Sequence, residues 1–185
     1  MLHKTGTNLF YINSNSSQAS DELSQRLIHC IHAVQTPWEE IVCLCIGSDR
    51  VTGDCLGPLI GHQLSHYSDR RLFVYGTLAY PVHALNLQEI LWDIQYMHPA
   101  ALLIAIDASL GPPKHQGHIC IGNGALIPGA GVRKDLPPVG EIFITGIVNF
   151  SGISPQLLLS STRLRDVMHL ADSITQGLIK GLKKR

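Results

Sequence analysis

Neither sign of charge dominates this chain. Fourteen Lys and Arg offset fourteen Asp and Glu over 185 residues, and charged residues make up only 15 %. Such a balance leaves no electrostatic footprint for nucleic acid or an anionic membrane, so neither is expected as a partner. The basic end Lys183-Lys184-Arg185 fits a helix C-terminus, where cations are favoured anyway. Long apolar runs are also missing: none approaches the roughly 18 residues of a membrane helix. The beginning, MLHKTGTNLFYINSNSSQ, holds no apolar stretch of the kind a signal peptide needs. A soluble, cytoplasmic protein is expected.

Several motifs are missing too. The five cysteines, Cys30, Cys43, Cys45, Cys55 and Cys120, include no CxxC pair, which argues against a zinc site. There is no Gly-Lys-Ser/Thr P-loop, no full GxGxxG and no HExxH, and no GxSxG nucleophile elbow. No cofactor and no metal are expected. The ten histidines are scattered; His62 and His66 share one helix face by their spacing but read as solvated surface.

What is present is strand–helix alternation. Apolar content is 45 %, enough for a sizeable core in one domain. Strands are predicted at 41–47, 72–76, 101–107, 118–121 and 141–148. Helices are predicted at 20–34, 54–67 and 86–96, with a long amphipathic one from about residue 161. Residues 1–17, rich in Asn and Ser, read as a loose arm, and 18–185 as one domain. The fold class is α/β: a single three-layer αβα sandwich with a mostly parallel sheet. The Gly- and Pro-rich section 109–140 is long for a compact domain, and such loops are often functional. His115 and His118 fall in it.

The strongest local signal is IVCLCIGSDRVTGDCLGPLIG at 41–61: an apolar strand, a polar crest and a helix. Asp54 sits where that helix is predicted to begin. A second apolar strand, 101–106, is followed by Asp107. Open parallel sheets place their chemistry at the carboxyl edge, and two carboxylates held together there cannot both ionise freely. Such a pair can share one proton and activate water. Each aspartate could equally serve as a helix cap or turn former, and spacing alone does not choose. Asp49, in the crest, reads as a turn residue or a supporting acid. Arg133 and Lys134, in a loop bent at Gly129 and Gly131, could hold a substrate carbonyl or acid. Cys55, at a helix N-terminus, would have a lowered thiol pKa.

Three segments taken together resemble the spore germination protease family, and most closely its short YyaC-type sporulation proteases. They are CIGSDRVTGDCLGPLIG at 45–61, AIDASLG at 105–111 and PGAGVRKDLPPVGEIFITGIVNFSG at 128–152. The resemblance implies an atypical aspartic peptidase, with Asp54 and Asp107 at the positions of the family's proposed catalytic acids. It implies the phosphorylase/hydrolase-like sandwich also found in hydrogenase maturation proteases. Those relatives recognise nickel partly through a histidine, and the matching turn at 134–140 contains none. The implied setting is the sporulating cell or spore interior. The implied partner is a protein or peptide substrate, with small acid-soluble spore proteins as the first candidates, and a homo-oligomer is compatible with it. A non-catalytic binding or regulatory protein and a metal-dependent hydrolase are the rival readings.

Overall fold

The computed structural model describes residues 9–129 and 136–184. Six strands form one sheet: β1 (Leu9–Asn13), β2 (Glu40–Cys45), β3 (Leu72–Tyr75), β4 (Ala101–Gly111), β5 (His118–Asn123) and β6 (Ile142–Phe150). Their order is β1-β5-β6-β4-β2-β3. The four strands β6, β4, β2 and β3 are parallel, and only β5 runs against its neighbours. Five helices complete the fold: α1 (Ala19–His32), α2 (Leu56–Ser65), α3 (Leu87–Met97), α4 (Pro155–Ser161) and α5 (Leu164–Leu182). The chain is a three-layer α/β sandwich with a mostly parallel sheet, as the alternation of elements predicts.

The layers follow from where apolar side chains fall. In β2 every residue after Glu40 is buried, because helices cover both faces of a central parallel strand. Ile41, Cys43 and Cys45 point into the core shared with α1, α2 and α5. Val42 and Leu44 point into the smaller core under α3 and the segments around Leu126 and Val139. The alternation is the period-two consequence of strand geometry. Helix α5 presents Val167, Leu170, Ala171, Ile174, Leu178 and Leu182 to the larger core, and Lys180 ties it to α1 through Asp21 at 2.8 Å. Among the described residues no helix is long and apolar enough to cross a membrane.

Three local expectations are corrected. Within the stretch 1–17 read as a loose arm, residues 9–13 are instead an edge strand, in antiparallel register with β5 from Leu9↔Gly122 to Asn13↔His118. Ile12 drives it by turning fully inward. Residues 1–8 lie outside the described part. Strand β4 does not end at Asp107 but continues to Gly111, because β6 runs on beside it, with a bulge between Ser109 and Leu110. The single long helix expected from about residue 161 is preceded by a separate one. Pro155 opens α4 at a position that needs no N–H donor, and extended backbone at Thr162 and Arg163 divides α4 from α5.

Candidate active site

The crest after β2 is built by backbone geometry. Ile46 N–H donates to Ile106 O at 2.7 Å, and Gly47 N–H to Val82 O at 2.8 Å, so the strand end is pinned from both sides. Gly47 then takes φ +145°, a region that side chains avoid. The turn carrying Asp54 is a single 3-10 turn, Thr52–Cys55, with α2 starting at Leu56. Asp54 is therefore not the helix cap its position suggests, and no side-chain cap bond is present there. Its backbone is fixed by Asp54 N–H donating to Val51 O at 2.9 Å and Ser48 N–H donating to Asp54 O at 3.1 Å. Helix α4 packs against the same turn, with Leu159 against Gly53. Helix α4 is in turn anchored by Asn149 at the end of β6, whose Nδ2 donates to Leu158 O at 3.0 Å.

Asp107 sits in mid-strand, paired with Thr145 of β6, just past the point where β2 ends opposite Ile106. It is 6 % exposed. Ala108 N–H donates to its Oδ1 at 2.7 Å, and Gly129 N–H also holds the carboxylate. These bonds favour the charged form, but burial and then the charge of Asp54 outweigh them, pushing Asp107 well above the ordinary carboxylate range. Asp54 is also raised, mainly by burial, against the opposing pull of a Ser48 backbone N–H and the positive charge of His83. The two acids are thus electrostatically coupled, and the larger upward shift is that of Asp107, the more deeply buried of the two.

Both acids line one cavity of about 330 Å³, with Ser48, Arg50, His83 and Leu85 on its walls and Pro128, Gly129 and Leu136 beside them. Asp107 also lines a second cavity of about 330 Å³, together with Tyr11, Leu110, Leu126, Ile127 and Ile147. Asp107 thus borders both recesses. Asp49 is exposed and contributes to neither. Arg133 and Lys134 lie outside the described residues.

His83 carries no local motif and is not legible as a site residue. It reaches the cavity because Val82 forms a parallel bridge with Ile46, which extends β2 by one more pairing. Arg50 arrives with the crest itself. The Cys55 thiol, expected to be lowered, is instead raised, because it is buried and lies near Asp54 and Asp49; its Sγ–H donates to Thr52 O at 2.9 Å. His62 and His66 are exposed, as expected of helix surface. Among the described residues, no group of three or more His, Cys, Asp or Glu could hold a metal ion.

Against this geometry, the sequence matches over residues 11–177 the family described as "Protein of unknown function (DUF1256)". The chain belongs to this family. It is also 43 % identical over 168 residues to the "Uncharacterized protein YyaC" of Bacillus subtilis (strain 168), spanning 91 % of this chain and 81 % of that protein. The stretch matched by the family contains both aspartates, the crest and His83. Neither description states an activity, so function rests on the geometry of the cleft.

The raised acid has a consequence for stability. An acid that titrates higher in the folded state binds protons more tightly there, so stability falls as pH rises from the unfolded value of 3.8 upward. Asn at position 107 keeps an oxygen for the Ala108 N–H and removes that loss. Thermal melts should therefore place Asp107→Asn above the parent at neutral pH, with the gap closing near about pH 4. A gap that is constant with pH would show that Asp107 titrates normally. The thiols give a second expected result. Iodoacetamide at neutral pH should label none of the five buried cysteines without denaturant; rapid labelling of Cys55 would contradict its raised thiol.

Proposed function

We propose that the chain is an endopeptidase that hydrolyses peptide bonds through the Asp54–Asp107 pair. The observation that carries the reading is the coupling of two raised carboxyls at the wall of one cleft, with the buried Asp107 also bordering a second recess. Paired acids that titrate apart supply an acid and a base in one site. The resemblance to the germination proteases supports it, since that family's proposed catalytic acids match these two positions.

The roles follow from the order of titration. Asp107 carries the proton and donates it to the carbonyl oxygen of the scissile bond. Asp54, ionised, takes a proton from water as the water oxygen bonds to the carbonyl carbon. The resulting diol collapses when Asp54 returns that proton to the amide nitrogen. The C–N bond breaks, one diol proton returns to Asp107, and the pair regains its starting state. His83 tunes Asp54, and Arg50 offers a cation for a substrate carbonyl or carboxylate. Small acid-soluble spore proteins are the first substrates to try, in a sporulating cell or spore.

The reading is tested by incubating the purified chain with a small acid-soluble spore protein and measuring intact masses, with and without chelator. Discrete fragments, unchanged by chelator, are expected. Cleavage abolished by chelator and restored by metal would assign a metal-dependent hydrolase instead. Binding in a pull-down with no cleavage across the pH range would assign a binding role. His83→Ala should shift the acid limb of the rate profile to higher pH, since the charge that holds Asp54 down is gone. An unmoved limb would remove His83 from the site.

A further inference from the structure

One row of polar side chains crosses four strands on the face of the sheet that Asp107 occupies. Asp107 of β4 pairs with Thr145 of β6, Thr145 with Cys120 of β5, and Cys120 with Tyr11 of β1. Register partners on neighbouring strands project to the same face. The next row along the same face, Ala105, Phe143 and Gly122, is apolar, as the covered face of a sheet ordinarily is.

Within the polar row, Thr145 has no bond in the fold to account for its hydroxyl. It is 1 % exposed, and it lines the second cavity together with Asp107 and Tyr11. Among the described residues its Oγ1 makes no hydrogen bond, not even to the Asp107 carboxyl beside it. The Cys120 thiol on its other side is a weak acceptor. A buried hydroxyl left in that state costs stability. Valine would fill the same space in a strand without that cost. A hydroxyl kept there is explained by a partner that arrives with a ligand.

We propose that the second cavity receives one flank of the substrate peptide, and that Thr145 Oγ1 hydrogen-bonds a main-chain amide of that flank. The ligand's identity rests on the peptidase reading. Asp107 borders both cavities, so a peptide whose scissile carbonyl meets Asp107 extends over the second one. The walls there include Leu110, Leu126, Ile127 and Ile147, and the described lining residues include no Lys, Arg or His. An anionic group would therefore go unpaired in this cavity. A main-chain amide carries no charge, yet once buried it must keep a hydrogen bond. A hydroxyl serves either its N–H or its C=O.

The test compares Thr145→Val, which keeps the shape, with Thr145→Ser, which keeps the hydroxyl. Without substrate, Thr145→Val should melt about 2–4 °C above the parent, since an unpartnered buried hydroxyl is gone. With a small acid-soluble spore protein as substrate, it should raise KM roughly 5- to 10-fold, the scale of one hydrogen bond. It should leave kcat and the pH profile in place, because the lost bond is made in ground state and transition state alike. Thr145→Ser should stay within about 2-fold of the parent KM. The same spore protein, fluorescently labelled, is also titrated onto Asp54→Asn with and without Thr145→Val, and the added change should weaken binding roughly 5- to 10-fold. Binding that depends on Thr145, with no turnover by the parent, would overturn the peptidase reading and leave the contact standing. A Thr145→Val chain that melts at or below the parent would show that the hydroxyl is bonded within the fold. Unchanged KM and binding would show that it touches no substrate. Either result overturns the proposal, as does a spore protein that Asp54→Asn fails to bind.

Discussion

Asp54→Asn and Asp107→Asn should each lower peptide cleavage at least about 1,000-fold, within the range that general acid–base groups contribute. Both should leave the fold in place. Asn is nearly isosteric with Asp, keeps an acceptor for the Ala108 N–H at position 107, and removes a carboxyl that burial disfavours. The double variant should be little slower than either single one, because the two acids act as a unit on one proton and such effects do not add. Initial rates by fragment mass, with stability measured alongside, separate lost chemistry from lost structure. Equal loss of rate and of melting temperature would assign the aspartates a structural role.

Gly57→Ala should cost about 3 kcal/mol or more of stability, the scale of a core overlap that cannot relax. A methyl group at Gly57 would run into the Ile46 carbonyl and backbone. Neither side can yield easily. Ile46 is pinned by its bond to Ile106 and by its bridge to Val82. Helix α2 is held by Ile60 and Leu64, both fully buried in the larger core. The helix would have to lift off β2 and take the Asp54 turn with it. Activity should therefore fall even under conditions where the variant remains folded. Urea denaturation reads the first effect and the cleavage rate the second. A variant as stable as the parent would mean that the approach of α2 to β2 is looser than the structure has it.

The parts of this molecule that are legible in its sequence are those whose signal is local. The strands β2 and β4 announce themselves as continuous apolar runs, since a strand covered on both faces has no polar alternation. The two aspartates stand out because each follows such a run. What the sequence hides depends on pairing between distant segments. The continuation of β4 through small residues to Gly111 needs β6 alongside. The strand at Leu9–Asn13 is an edge strand with only Ile12 fully buried, so it reads as part of a polar tail. His83 reaches the cleft through one bridge, Ile46 to Val82, which no motif records. Helix position alone misjudges the Cys55 thiol, because burial wins when a thiolate would also face two carboxylates.

The proposed peptidase chemistry requires Asp107, raised by burial and by the charge of Asp54, to keep its proton where Asp54 has lost its own. The direct measurement is a carbon-13 NMR titration of the aspartate side-chain carboxyls in the parent and in Asp54→Asn. One carboxyl in the parent should remain protonated well above pH 3.8. It should titrate lower in Asp54→Asn, where the neighbouring charge is gone. Two carboxyls titrating independently in the ordinary range, with no response of Asp107 to the loss of Asp54, would contradict it.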